Sequence, residues 1–565
     1  TSVTEQNIGI TVKWKYLPYV TGYFIYRADD SNSKYYKIED ILNDPESGKY
    51  VEYYESATFD SGSPLYKVRA YLLINGKHYY GPYSKSVALN PYSDNPNASD
   101  FSEFHMGYQT SNRSSSTGFD RNYDEGGSFS MAAAYLTRGT GPVYEWQAPY
   151  KNLRSAADVS FSPALKIDEI IFIPERKSAL DNQAIKQTVI NYGAVSASYV
   201  SVEEYYSSDD LSYYLPADYN AGRAPVGSSP VIATNHAIAI IGWDDNYSKE
   251  NFVTEPAGNG AFLCKNSWGT EFADNGYFYI SYYDGFLGIQ EFSMAFGKVS
   301  SDKTYKRIYQ YDPLGATSAF GYNDELYCAN VFPENNQKLK KKEQLGSVSF
   351  YTYDSNYNYE VYIVSSFKGK DSLLKLPTPS ASGICKYAGY HTVNLKKPIT
   401  LKSGTRFAVV IKLWSAAGAK TYFEAPLGDS SSLATASDGE SYISHHGNIW
   451  TDFNVYQPGT NVCIKAFSNG DIAESIPAAG ADGEDISCEV YSSSELKEHG
   501  FILNPTYTDD SSGIISSITT GDTPFASAEI FPAFYDLRQY NRVSPVKDQG
   551  DFGLCWAFAT YASLE

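Results

Sequence analysis

The sequence predicts a chain of α+β class, rich in β structure and divided into three or four domains, on three observations. At 565 residues it exceeds what one hydrophobic core organises. Tyrosine occurs 52 times, in alternating runs with Val, Ile and Thr that suit half-solvated sheets better than helical bundles. Four stretches depart from that alternation and read as helices: the run that starts at Asp100–His105, 181–192, the run that follows Gly126-Gly127-Ser128-Phe129, and the apolar run headed by Cys555.

Composition removes several classes of function. The net charge is −20, from 45 basic and 65 acidic residues, and its longest basic run is Lys338-Leu339-Lys340-Lys341-Lys342. A nucleic-acid partner, whose binding rests on neutralising phosphates, is therefore not expected. Six cysteines are too few for a disulfide scaffold, and none forms a Cys-x-x-Cys pair, so neither a structural zinc nor any other metal or cofactor is expected. The longest apolar runs, such as His236–Ile241, fall far short of the roughly 20 residues a membrane helix needs. No transmembrane segment or signal peptide is read. The acidic, tyrosine-rich, multidomain character suits a secreted or cell-surface protein.

Taken in order, residues 1–92 read as a β-sandwich. Ile10, Val12 and Trp14 alternate with polar residues, two aromatic strands follow around Tyr23–Arg27 and Leu65–Tyr71, and Asn75-Gly76 supplies a hairpin turn. Residues 93–299 mix helices and strands, with a capped helix start at Asp100–His105 and a strand at 194–200. Residues 300–467 return to alternating strands at 345–352, 359–364, 391–395 and 406–411, with Cys328, Cys385 and Cys463 in or beside them and no derivable pairing. Residues 468–530 are acidic and poor in apolar residues, and read as a linker or a propeptide-like segment. Residues 531–565 begin a new folded segment.

The chemistry is concentrated in three runs. In the last segment Gln549 lies six residues before Cys555, a glycine-containing turn separates them, and Cys555-Trp556-Ala557-Phe558 opens the helix. A thiol at a helix N-terminus meets unpaired N–H groups and the helix dipole, which favour the thiolate. Thr234-Asn235-His236-Ala237 places a histidine at the mouth of an apolar strand, and Lys265-Asn266-Ser267-Trp268-Gly269 places an asparagine at the end of another. A lone cysteine before an apolar helix is usually a buried hydrophobe, and a lone histidine on an apolar strand is usually a core residue. Three such coincidences in one chain favour a site.

These motifs resemble those of the papain family of cysteine proteases. Gln549, the Cys-Trp-Ala-Phe run, His236-Ala237 with Gly242-Trp243, and Asn266-Ser267-Trp268-Gly269 all match, and Tyr535-Asp536-Leu537-Arg538 is similar to the start of the mature enzyme. The resemblance covers roughly 93–298 and 531–565. It implies a two-lobed domain, one lobe helical and one β-barrel-like, that hydrolyses peptide bonds. In that reading Cys555 is the nucleophile, His236 the base that lowers its pKa, and Asn266 the group orienting the imidazole under the shield of Trp268. Gln549 and the Cys555 backbone N–H form the oxyanion hole. Gly126 and Gly127 pair with the extended substrate, with Gly553 beside them, and Phe129 and Ala237 wall the S2 pocket. Residues 300–467 look like the lectin-like domain of some bacterial secreted proteins, with a glycan or cell-surface ligand as the implied partner beside the peptide or protein substrate. Residues 1–92 resemble a fibronectin type III module, with Tyr66 at the tyrosine-corner position.

Two features depart from the family pattern. Its cysteine precedes the histidine, whereas Cys555 here comes last. If 468–565 precedes 93–467, ten residues after Cys555 and 143 from Ser93 to His236 give a separation of about 153, close to the roughly 130–150 of the family. The expectation is that the numbering wraps at this point, with 1–92 trailing or supplied elsewhere; the alternative, a circular permutation, would cut the helix carrying the nucleophile, a poor place for termini. The family's second cysteine pair is replaced by Phe552 and Asp124, so packing of Phe552 is expected to hold that loop. Leu554, in place of a small residue, is expected to narrow the cleft. Two rivals stand beside the protease: a cell-wall amidase with a Cys-His dyad, and a catalytically inert papain-like adhesin binding surface glycans or proteins.

Overall fold

The computed structural model describes residues 2–6, 9–17, 20–28, 34–43, 50–55, 65–74, 77–84, 87–88, 100–114, 117–150, 161–219, 234–289, 291–300, 305–334, 337–428, 430–469 and 531–565, in two compact units. The boundary expected near 92, the Asn75-Gly76 turn and nearly all of the 468–530 segment lie outside the described residues.

The first unit comprises residues 1–105 and 143–159. One of its sheets has three strands, Ser2–Gln6, Gly9–Lys15 and Tyr50–Glu55, and the other runs Tyr36–Leu42, Gly22–Ala28, Leu65–Ile74 and Lys77–Tyr83, with Val87–Ala88 also on Leu65–Ile74. Alternation puts Val12, Trp14, Tyr23, Ile25, Val51, Tyr66 and Val68 into one core. Trp14 and Tyr23 meet edge to face at 5.4 Å. Ile74 pairs with Lys77 in the antiparallel pair of Leu65–Ile74 and Lys77–Tyr83. The Ser102 hydroxyl accepts the His105 N–H at 3.0 Å, an N-cap bond.

The second unit, residues 106–142 and 160–565, is built on a thirteen-stranded sheet. Its path runs Tyr206–Ser207, Ser212–Tyr213, Tyr277–Ser281, Ala261–Lys265, His236–Asp244, Val195–Tyr199, Ser293–Ser300, Lys166–Ile173, Ala388–Leu401, Glu343–Thr352, Lys465–Ser468 and Arg307–Tyr309, with Phe534–Asp536 added to His236–Asp244. The strand HAIAIIGWD is apolar on both faces because both are covered. The helix Cys555–Leu564 packs over it, as does Gln183–Asn191. Apolar residues all round the Cys555–Leu564 helix account for its burial as far as Tyr561.

The sheet passes without a break from the 166–300 strands to those of 300–468. Ile170 pairs with Tyr390 and Phe172 with Ala388. A Cβ on Gly389 would lie 2.1 Å from the Ile170 carbonyl oxygen, so this close approach requires glycine. His391 is buried at the junction, 3.4 Å from the Glu169 carboxylate and 3.0 Å from the Thr352 hydroxyl. Burial works against its charge, but Cys385 and Glu169 outweigh burial and raise its pKa to about 10. Beyond the junction a second core gathers around Leu326, Leu345, Phe407, Val409 and Ile411 between the large sheet and a six-stranded one. The strands there extend the expected runs to Glu343–Thr352, Tyr357–Phe367, Ala388–Leu401 and Arg406–Trp414.

Candidate active site

His236 heads its strand and is buried. Its Nε2 lies 2.8 Å from Asn266 Oδ1. That oxygen also accepts the Ser267 backbone N–H at 2.8 Å, which fixes the amide with oxygen, not nitrogen, toward the ring. Nε2 therefore carries the hydrogen, and Nδ1 is the nitrogen left to act as a base. Asn266 Nδ2 is buried without a hydrogen-bond partner, which costs about 1–3 kcal/mol and shows how firmly the orientation is imposed. Trp268 stacks on the imidazole at 4.6 Å and 26°, and Tyr199 meets it edge-on at 5.7 Å.

Cys555 is the first residue of its helix and has no exposed surface. Burial pushes the thiol pKa up to about 12, while the N–H groups of Ala237, Trp556 and Cys555 itself pull the other way. Burial is the larger of the two effects. The expected depression of its pKa is reversed here because the helix N-terminus does not offset full desolvation. The Ala237 N–H on the sulfur places the nucleophile against the start of the histidine strand.

Backbone pairing joins the two distant segments. Trp268 bridges Asp548, the Gly269 N–H donates to the Lys547 carbonyl at 3.1 Å, and the Gln549 N–H donates to the Ser267 carbonyl at 2.8 Å. Ser267 Oγ donates to Gln549 Oε1 at 2.7 Å, and Gln549 Nε2 donates to the Phe552 carbonyl at 2.8 Å. The side-chain amide is thus held at both ends. Farther out, Phe534–Asp536 pairs with 242–244, and a Cβ on Gly242 would lie 2.1 Å from the Tyr535 carbonyl oxygen. Trp243 stacks on Tyr535 at 5.0 Å and donates to the Pro532 carbonyl at 2.9 Å.

The remaining expected positions fare differently. Gly127 is buried, and a Cβ there would meet the Trp556 indole at 2.3 Å, so its lack of a side chain serves packing whatever its backbone does. Gly126 gives its carbonyl to Arg121 Nε, and the Gly553 N–H donates to the Asp124 carbonyl at 3.0 Å. That bond and the Phe552–Tyr123 ring contact at 6.3 Å hold the loop where a disulfide is missing. Phe129 and Ala237 are buried; Phe129 begins the wholly buried helix Phe129–Thr137. Leu554 does not narrow the cleft. Its buried side chain points to Gly107, where a Cβ would sit 2.5 Å from Cδ2.

Two positioning residues escape sequence reasoning. Ser267 clamps Gln549, as described. Arg121 is a buried cation whose guanidinium donates to the carbonyls of Gly107, Tyr123, Glu125 and Gly126 and lies 5.3 Å from the Trp556 ring. Burial pushes its pKa down. It fastens the glycine loop to the helix of Cys555, and no spacing rule marks it.

Comparison with known proteins agrees with this assembly. The family model described as papain family cysteine protease matches residues 117–296 and 531–565, the two segments that meet at His236 and Cys555. The chain carries a papain family cysteine protease domain. The model described as lectin like domain matches residues 308–468, so the protease domain and a lectin-like domain share the large sheet. A clostridial cysteine protease, Cwp84, solved after propeptide cleavage, is 29% identical at a TM-score of 0.54, over 66% of this chain and 89% of that one. The cysteine protease and lectin-like domains of Cwp84, a surface layer associated protein of Clostridium difficile, are 28% identical at 0.53, over 66% of this chain and 80% of that one. A viral cathepsin of Orgyia pseudotsugata multicapsid polyhedrosis virus is 59% identical over 34 residues, 6% of this chain and 10% of that protein. A senescence-specific cysteine protease of Oryza sativa subsp. indica is 38% identical over 63 residues, 10% of this chain and 19% of that protein. The chain thus spans a tenth to a fifth of these curated relatives. Among the described residues, no helix is long and apolar enough to cross a membrane.

Proposed function

We propose that this protein is a secreted or cell-surface cysteine endopeptidase acting through Cys555, His236, Asn266 and Gln549. The observation that carries the proposal is the His236–Asn266 bond, with its oxygen fixed by Ser267, because it leaves Nδ1 as a base on the strand whose next N–H meets the Cys555 sulfur. The Cys555 sulfur attacks the scissile carbonyl carbon as its proton passes to Nδ1. The carbonyl oxygen takes negative charge, stabilised by Gln549 Nε2–H and the Cys555 N–H. Collapse breaks the C–N bond, and His236 gives its proton to the leaving amine. Water, deprotonated by His236, then hydrolyses the thioester and restores the thiol.

Gly126, Gly127 and Gly553 border the extended substrate in this reading, and Trp268 shields the His–Asn bond. The lectin-like domain takes a glycan or cell-surface ligand, in keeping with the surface-layer association of Cwp84, and residues 1–92 act as a fibronectin type III spacer. The segment 468–565 precedes 93–467 in biological order. A tryptic peptide running unbroken from Asn90 past Ser93 in the native protein would count against that order.

The full burial of Cys555 is the observation favouring an inert adhesin instead. Hydrolysis of a denatured protein substrate separates the two readings. Cleavage by the full chain and none by Cys555→Ala is expected; equal activity, or none in either, contradicts the endopeptidase.

A further inference from the structure

Away from the active site, the lectin-like domain gathers two imidazoles and two carboxylates at one point. Asp324 lies in the turn between the strands Ser318–Tyr322 and Glu325–Phe332, and His445-His446 follow the strand Ser441–Ser444. Tyr327 pairs with Ser444, and that register continued by two residues sets Glu325 opposite His446. His445 Nε2 contacts Asp324 Oδ1, His446 Nδ1 is 3.1 Å from Glu325 Oε1, and the second Asp324 oxygen is 4.0 Å from the same nitrogen. One donor atom each from Asp324, His445 and His446 lie within 4.8 Å of one another.

Neighbouring residues in an extended strand point to opposite sides, yet the two imidazoles stack at 3.8 Å and 20°. The strand has ended, and both rings turn the same way. Tyr322 stacks beneath His445 at 4.3 Å, and the Trp450 indole donates to the Gly447 carbonyl at 3.1 Å, which anchors the loop. Lys412, on Glu325 at 2.8 Å, occupies that carboxylate's other oxygen and leaves Oε1 toward His446.

We propose that Asp324, His445 and His446, with Glu325 or water as fourth donor, form a structural site for a divalent cation of the zinc class. Two imidazole nitrogens select zinc, cobalt, nickel or copper over calcium and magnesium, which take oxygen donors. Zinc bound to nitrogen and carboxylate oxygen at about 2.0–2.2 Å separates tetrahedral donors by roughly 3.4 Å, so these exposed side chains need to close by little more than an ångström. The site spans two sheets: Tyr322 ends a strand of the three-stranded sheet, while Glu325 and Ser444 belong to the six-stranded one. A bound ion staples the turn between them. Sequence gave no sign of it, because its halves lie about 120 positions apart and lack the short spacings of known zinc motifs.

The test uses the full chain carrying Cys555→Ala, which removes the thiol–imidazole pair as a competing zinc ligand, stripped by chelation and titrated with Zn2+ in a calorimeter. One ion binding at low micromolar or tighter is expected, with intense visible absorption when Co2+ is substituted and a rise in Tm on metal addition. His446→Ala and, separately, Asp324→Asn, both at exposed positions, are expected to weaken binding at least tenfold and to remove the Tm rise. Millimolar Ca2+ is expected to leave Zn2+ bound. Zn2+ binding unchanged by both substitutions, displacement by Ca2+, or no binding by the parent chain overturns the proposal.

Discussion

His236 begins a strand and Cys555 begins a helix, and the two elements treat their functional groups in opposite ways. The histidine is buried but fully engaged: Asn266 takes Nε2, Trp268 covers one face and Tyr199 meets the ring edge-on. Its polarity is satisfied by groups whose positions follow from sheet register. The cysteine is buried, backbone N–H groups favour its ionised form, and desolvation dominates, taking its pKa to about 12. The base is therefore pre-oriented, whereas the nucleophile needs that base at the moment of attack. A sheet can orient a donor to within a fraction of an ångström, but a helix N-terminus alone cannot keep a desolvated thiolate.

This contrast can be broken at several points. His236→Ala removes the base and is expected to lower kcat/KM on a peptide substrate by roughly 10⁴-fold, the scale for loss of a triad member; a loss below tenfold would mean that the thiol does not depend on the strand. Gln549→Ala removes a side-chain donor from the nucleophile half and is expected to lower kcat by roughly 10²–10³-fold with KM little changed. Arg121→Leu leaves four carbonyl acceptors unpaired behind Trp556, and denaturant unfolding is expected to show a loss of about 3 kcal/mol. Ser267→Ala releases one end of the Gln549 amide, and about a tenfold fall in kcat with unchanged KM is expected, since the residue positions Gln549 without touching substrate.

A further prediction concerns the sheet that carries the histidine. His391 at the domain junction has its pKa raised from 6.5 to about 10. A folded-state pKa above the unfolded one gives stability that is fully present below pH 6.5 and is lost as pH rises toward 10. Urea midpoints are expected to fall across that window for the parent chain and to fall less for His391→Gln. Parallel slopes would remove the charge-locked junction from the account.

The parts of the site that were legible in sequence are those tied to local patterns. The Cys-Trp-Ala-Phe run, the His-Ala strand and Asn-Ser-Trp-Gly each state their element and their chemistry within a few residues, and the alternation at 345–352 or 406–411 reveals strands without any partner. What stayed hidden depends on contacts between distant segments. Leu554 gave no indication that it would turn inward to Gly107 rather than into the cleft. Arg121 resembles any surface arginine until its five-residue loop closes over it. The pairing of Ile170 with Tyr390, which fuses two domains into one sheet, joins strands more than 200 positions apart, and such pairing leaves no periodic trace. Full burial of Cys555 likewise follows from tertiary packing, and it pushes the thiol pKa up where the helix N-terminus alone led to the expectation of a low one.

The central claim is that Cys555 and His236, from segments at opposite ends of the numbering, form one nucleophilic site. Its most direct test is labelling of the folded full chain at pH 7 with an epoxide that inactivates cysteine proteases, followed by peptide mapping. The label is expected on Cys555 alone among the six cysteines, and it is expected to disappear in His236→Ala. A label spread over other cysteines, or one on Cys555 that persists at the same rate without His236, would contradict the account.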